Sequence, residues 1–164
     1  MAVENKYIDA NVAAGKRGSG PLVEGGALRA MPFTFEVAAA DTDASVYRVM
    51  KNVDPTLIPV KFDIFNDAIT GGTVYDLGLY ESELGAVIDA DVFAANLDMS
   101  SAAAHASPKD GLTTVDVANV QKRIYEHAGH TLLTKKIGYD IAFTADTVGS
   151  GAGTISGVLY FAQG

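Results

Sequence analysis

Apolar and polar residues alternate with a period of two in several stretches of the chain, the pattern of strands with one face turned to a core. Phe33-Thr34-Phe35-Glu36-Val37 alternates cleanly, and Val46-Tyr47-Arg48-Val49-Met50 more weakly. Val60 to Phe65 places Val60, Phe62 and Ile64 on the inward side, and Val74 to Tyr80 reads as a partner strand. Between them, Asn66-Asp67 and Gly71-Gly72 supply turn chemistry. The pattern predicts a β-hairpin over 60–80 whose connection is longer than the usual two residues. Pro55 and Pro59 argue against a long central strand at the start of that unit. A second hairpin is expected at the end of the chain. Ile137 to Ala145 sets Tyr139, Ile141 and Phe143 against Asp140, Ala142 and Thr144. The Gly-rich stretch 147–153 turns, and Ile155 to Phe161 returns with Ile155, Leu159 and Phe161 on one face, tying the C-terminal residues into a sheet.

One helical period stands out. Val117, Val120 and Ile124 fall at i, i+3 and i+7 and predict a helix over 116–128, with Asp116 as N-cap and Gly129 as its stop. Residues 84–104 follow neither period; Val87, Val92, Phe93 and Leu97 fit a short strand and a helical turn, and Ser100 to His105 a loop or weak helix. Seven or so strands, one short helix and several Gly-rich turns predict a mainly β fold: an antiparallel β-sandwich, jelly-roll-like, formed as a single domain by residues 28–164. Residues 1–27 differ. Gly15-Lys16-Arg17-Gly18-Ser19-Gly20-Pro21 is Gly-rich and basic, and reads either as a disordered N-terminal tail or as a flexible N-terminal arm that orders on reaching a neighbouring subunit, with Lys16 and Arg17 then as its basic contacts.

Charge narrows the partners. The 164 residues carry a formal net charge of −8, which disfavours nucleic acid and anionic membranes and favours a basic protein surface. With no Cys, disulfides, Cys–zinc sites and a Cys nucleophile are excluded. Stability outside a cell would then come from oligomerisation or docking on a larger assembly. No apolar run has the length of a signal peptide or of a membrane span, so synthesis in the cytoplasm is expected.

Candidate chemistry is sparse. Gly149-Ser150-Gly151-Ala152-Gly153 is Gly-rich but links two predicted strands, whereas a phosphate cradle opens a helix. His127 and His130 are three apart, but His130 lies beyond the stop at Gly129; His127 near a helix C-terminus suits a cation better than a metal. Asp89, Asp91 and Asp98 lack the EF-hand pattern and read as a solvated acidic loop. Ser100, Ser101 and Ser107 lack a nucleophile elbow. Tyr75, Tyr80, Tyr139 and Tyr160 would form a sugar- or protein-binding patch if exposed, but are expected to pack in the sandwich or shield a sheet edge. The expectation is a non-enzymatic protein with no cofactor and no metal.

A resemblance adds a function to this fold. The run Lys61-Phe62-Asp63-Ile64-Phe65-Asn66-Asp67-Ala68-Ile69-Thr70-Gly71-Gly72-Thr73 enters a turn and leaves through Tyr75-Asp76-Leu77-Gly78-Leu79-Tyr80. It resembles a segment of the small virion structural proteins of tailed bacteriophages. Asp91-Val92-Phe93-Ala94, Leu97-Asp98-Met99-Ser100 and Thr144-Ala145-Asp146-Thr147-Val148-Gly149 are similar to that group too. The resemblance spans most of residues 45–163, leaves the arm uncovered and carries no binding residue. It implies a virion structural protein; small size, β-rich character and the lack of chemistry extend that expectation to a capsid decoration, or cement, protein on the virion surface that bridges major capsid protein subunits, with Lys16 and Arg17 as the arm's capsid contacts and lattice symmetry suggesting a trimer or dimer. A binding module of a tail or head fibre is the alternative; a small hydrolase or lyase on a jelly roll would need a deep pocket lined by two carboxylates, or by His127 and a carboxylate.

Overall fold

The structure, a computed structural model, describes residues 27–131 and 138–163. Eight strands follow one another: β1 (Leu28–Val37), β2 (Ser45–Val53), β3 (Leu57–Asn66), β4 (Val74–Glu81), β5 (Val87–Leu97), β6 (Lys109–Asp110), β7 (Tyr139–Thr147) and β8 (Gly153–Gln163). The one helix among the described residues is α1 (Ile124–His127). The strands form two antiparallel sheets, ordered β1-β8-β3-β6 and β2-β7-β4-β5. Of consecutive strands, only β4 and β5 are neighbours; every other connection passes from one sheet to the other. That connectivity is an eight-strand jelly roll, as the alternation and turns predict.

Neither expected hairpin forms. β3 pairs with β8 and β6, whereas β4 pairs with β5 and β7. β7 and β8 likewise lie in opposite sheets. Period-two alternation identifies a strand with one buried face, but both sheets bury a face in the same core, so it does not say which sheet receives the strand. The connections settle it. In the 66–73 crossing, Ile69 is fully buried, its N–H donates to the Met99 carbonyl at 2.9 Å, and the Met99 N–H donates to the Gly72 carbonyl at 2.8 Å. The Asn66 amide donates to the carbonyls of Asp67, Met99 and Ser101 at 2.6, 3.0 and 3.1 Å. The 148–152 crossing packs against the first: Ser150 N–H donates to the Thr70 carbonyl at 2.8 Å, and Gly149, at φ 88°, lies on the backbone of Gly71 and Gly72 where a side chain would collide. The Gly-rich turns therefore abut one another at the end of the sandwich.

The helix is shorter than its period predicts. Asn119 N–H reaches only the Asp116 carbonyl and Lys122 N–H the Asn119 carbonyl, so residues 116–122 form successive three-residue turns. Asp116 caps the first of these through its carboxylate, at 3.0 Å from Ala118 N–H, in competition with helix. Of the predicted apolar face only Ile124 is buried; Val117 is 90% exposed and Val120 51%. Gly129 is the stop, at φ 79°, with its N–H on the Glu126 carbonyl and the His130 N–H on that of Tyr125, a Schellman closure. Residues 87–97 form a strand where a short strand and helical turn were expected. Its period is broken because the register jumps from Leu79↔Asp89 to Leu77↔Ala94, five residues of β5 passing two of β4. β3 is a ten-residue interior strand despite Pro59, which lies beyond the reach of the short β6 and beside a register shift before Lys61.

The surplus of β5 folds over the outer face of β4. Gly78 faces outward between the inward Leu77 and Leu79, and a Cβ there would collide with the backbone of Asp89 and Ala90. Ala142, paired with Gly78, is fully buried, and β7 is buried on both faces from Tyr139 to Ala145. Gly78→Ala is expected to destabilise the fold by about 3 kcal/mol, the upper range for overpacking, as measured by chemical denaturation; a cost below experimental error would show that β5 does not lie there.

Candidate functional site

The sequence candidates disperse in the fold. Lys16 and Arg17, with the arm over 1–27, fall essentially outside the described residues, which begin at Ala27. The histidines serve three separate contacts. His105 stacks on Phe65 with ring centroids 5.2 Å apart, His127 meets Phe93 edge-on at 5.5 Å, and His130 Nδ1 shares a 2.7 Å hydrogen bond with the Tyr139 hydroxyl. Burial pushes the pKa of His127 down and the nearby Lys122 adds to it, so this position does not favour the cation that a longer helix would have held. Tyr75, Tyr80 and Tyr139 are buried, and the Tyr75 hydroxyl donates to the Val148 carbonyl at 2.9 Å; only Tyr160 of the four is half-exposed. Ser100 lies in the turn after β5, where its N–H donates to the Asp98 carboxylate at 2.8 Å. Among the described residues, no three His, Cys, Asp or Glu side chains are placed to hold a metal ion, and no helix is long and apolar enough to cross a membrane.

Two polar arrangements come from pairing that the chain order conceals. The first surrounds Asp140, the one carboxylate buried among the described residues. Arg48 Nη1 approaches it at 2.7 Å, the Asn52 N–H donates to it at 3.0 Å and the Ser82 hydroxyl also donates to it. Arg48 further donates to the Gly85 carbonyl at 2.9 Å and lies over the Tyr80 ring at 5.3 Å. Burial by itself would raise the Asp140 pKa, but the hydrogen bonds from Ser82, Asn52 and Arg48 outweigh it and hold it below the usual carboxylate range. These contacts clamp the bulged part of β2 and the β4–β5 turn onto β7.

The second gathers Asp76, Asp89, Asp91 and Asp146 around the β5 overlap. Asp89 and Asp91 belong to a strand rather than to the expected acidic loop, and Asp98 stands apart in the following turn. Burial raises the Asp76 pKa, and the carboxylates of Asp146 and Asp91 add to it against the Asn96 N–H. Burial and a hydrogen bond with Asp91 raise that of Asp89. Beside β6, an open groove of about 630 Å³ runs between Val60, Lys61 and Asp63 on one side and Pro108, Leu112 and Val120 on the other. Two carboxylates line it, Asp63 and Asp110, which face each other across the β3–β6 pairing; the groove is open rather than deep, and Asp63 is held by Lys61 in an ion pair at 2.8 Å.

A two-sheet jelly roll with an acidic patch and closed polar networks defines a class of architecture. Among solved structures, a chain of the cyanophage Pam1 capsid asymmetric unit has a similar fold, with a TM-score of 0.53 at 12% sequence identity over 85% of this chain and 86% of that one. No family model matches the chain, and no curated protein matches it.

Arg48→Met leaves the Asp140 charge buried and is expected to cost about 3 kcal/mol, whereas Asp140→Asn, which frees the partly exposed Arg48 to hydrate, costs about 1 kcal/mol. Because the folded pKa of Asp140 is depressed, its contribution is present above the unfolded value near 3.8 and fades as pH falls through the folded one. Denaturation at pH 7 and pH 3 should therefore show the Asp140→Asn cost shrinking at the lower pH; a constant cost would contradict the ionised network. Asp76 runs the other way, its folded pKa being raised. Asp76→Asn is expected to stabilise the protein by roughly 0.5 kcal/mol at pH 7, with the gain disappearing below about pH 4, read from the same titration of stability.

Proposed function

We propose that the chain is a structural component of a phage virion, a capsid decoration protein that binds the major capsid protein lattice and bridges its subunits without catalysing a reaction. The observation that carries this reading is the likeness in fold, along most of both chains, to a chain of the cyanophage Pam1 capsid asymmetric unit. The resemblance of residues 61–80 to small phage virion proteins supports it, and the structure gives those residues a purpose: they build the Asn66–Thr73 crossing and the overlapped β4 on which the jelly roll depends. A cement role asks for a rigid body whose backbone bonds are satisfied internally, repeated on a lattice by symmetry. The net charge of −8 and the patch of Asp76, Asp89, Asp91 and Asp146 would steer the body to basic loops of a shell. Burial of Tyr75, Tyr80 and Tyr139 removes the aromatic array that would have favoured a sugar-gripping fibre module.

Quantitative mass spectrometry of purified virions tests the proposal. A copy number of the same order as the major capsid protein is expected, as lattice symmetry requires. A copy number matching tail proteins would replace decoration with a fibre or connector role, and complete loss from virions would remove the virion role.

A further inference from the structure

Each sheet has two edge strands, and three of the four are built against further pairing. β6 has only two residues, and the stretch of β3 beyond it carries Pro59 and a register shift. β2 is irregular between Arg48 and Met50 and again between Met50 and Val53, and the register of β5 jumps along β4. Shortness, bulges and proline are the usual guards of a sheet edge. β1 differs. Its ten residues pair with β8 without a register shift, from Leu28↔Ala162 to Val37↔Gly153. The ladder also fixes which of its backbone groups face the open side. Gly111 N–H donates to the Phe62 carbonyl, so Phe62 faces β6 and Asp63 faces its β8 partner Val158. Alternation across β8 then turns Gly157 and Leu159 toward their β1 partners Phe33 and Met31. Leu28, Ala30, Pro32, Thr34 and Glu36 are left with N–H and C=O on the open edge. Pro32, which has no N–H, fits an unbroken ladder only in that orientation. No turn or loop carbonyl among the described residues takes the other four N–H groups. On the inward side Met31, Phe33 and Phe35 are only half-buried, as expected of a core that stops at an open edge.

We propose that β1 pairs antiparallel with β1 of a second copy about a two-fold axis at Pro32, joining two four-stranded sheets into one continuous sheet. The open groups are symmetric about that residue. The axis sets Leu28 opposite Glu36 and Ala30 opposite Thr34 of the second copy, so each of the four N–H groups meets a carbonyl. The one residue without an N–H meets itself, and no donor is left unpaired. A foreign strand would not need this symmetry; a copy does, because an isologous contact must be self-complementary. Inward, Met31 comes opposite Phe33 and Arg29 opposite Phe35 of the second copy, which covers the half-buried side chains. Arg29 and Glu36 lie at opposite ends of β1, so the antiparallel copy brings unlike charges together at both. The bodies' like charge does not gather there. Phe35 stacks on Tyr47 of β2 at 4.8 Å, so β1 lies on the β2 flank of the sandwich, whereas the patch around Asp76, Asp89 and Asp91 lies at β5, the other edge of that sheet. The inference stands on this edge and does not rest on the virion reading.

Sedimentation and cysteine crosslinking of the full-length protein test it. The chain has no Cys, so an introduced one can bridge only to another copy. Pro32→Cys puts two thiols at the axis, where directly opposed Cα atoms lie about 5.5 Å apart, within the reach of a disulfide. Thr34→Cys, on the same edge and face, is the control, since its two copies are offset by four residues, about 14 Å. Oxidation is expected to link the Pro32→Cys protein into dimers at several-fold higher yield than Thr34→Cys. The unaltered protein is expected to sediment as a dimer at micromolar concentration. Thr34→Pro removes an N–H that its own sheet does not use, and should give a monomer with unchanged circular dichroism; should that variant unfold, the cysteine pair decides alone. A monomeric unaltered protein, a trimer, a dimer that survives in folded Thr34→Pro, or equal crosslinking from positions 32 and 34 would each overturn the proposal.

Discussion

The two sheets are held together chiefly by what lies between them. Consecutive strands change sheet at every step but one, so the ladder hydrogen bonds stitch each sheet internally and leave their union to side-chain burial. Phe62 of β3 stands at that junction, edge-on to Phe93 across the core at 5.3 Å and to Phe161 of its own sheet at 5.2 Å. Tyr75, Leu77, Leu79, Ile141 and Phe143 from one sheet meet Ile64, Ile155 and Leu159 from the other, all fully buried. Burial of this kind contributes about 2 kcal/mol or more for each large side chain, and it is non-directional, so other elements must fix how the sheets sit.

That alignment comes from polar and steric detail at the ends and on one flank. The Asn66 amide and the abutting Gly71-Gly72 and Gly149 turns lock the crossings at one end. On the flank, Asp140 binds Arg48 and Asn52 of β2 and Ser82 of the β4–β5 turn. A buried charge so fully engaged is weak evidence for net stability, but losing one partner is costly, so the network penalises alternative registers of β2 and the β4–β5 turn. The overlap of β5 on Gly78 adds a steric condition that a single methyl group breaks.

The surfaces divide by chemistry. Carboxylates collect around the β5 overlap, while the outer face of the opposite sheet mixes apolar residues near the start of β1 with Lys61, Asp63 and Asp110.

Most of the strands, the turns and the class of fold are legible in the sequence, because one-face burial imposes a period of two on a regular strand and Gly-rich crossings interrupt it. Phe33 to Val37, Phe62 to Phe65 and Ile155 to Phe161 were legible for that reason, whereas Val60, expected on the inward side, is 51% exposed where the β3–β8 register shifts between Pro59 and Lys61. Tertiary structure alone decided which strands pair, since residues 60–65 and 74–80 alternate identically whether they share a sheet or face each other across the core. It also decided the fate of Val117 and Val120, whose helical spacing found no surface to bury against, and of β5, whose surplus residues hid its period. The Asp140 clamp and the four-carboxylate patch were invisible for a related reason: Arg48 and Asp140, or Asp76 and Asp146, meet only once sheet pairing brings distant segments side by side, and nothing in the local sequence encodes that distance.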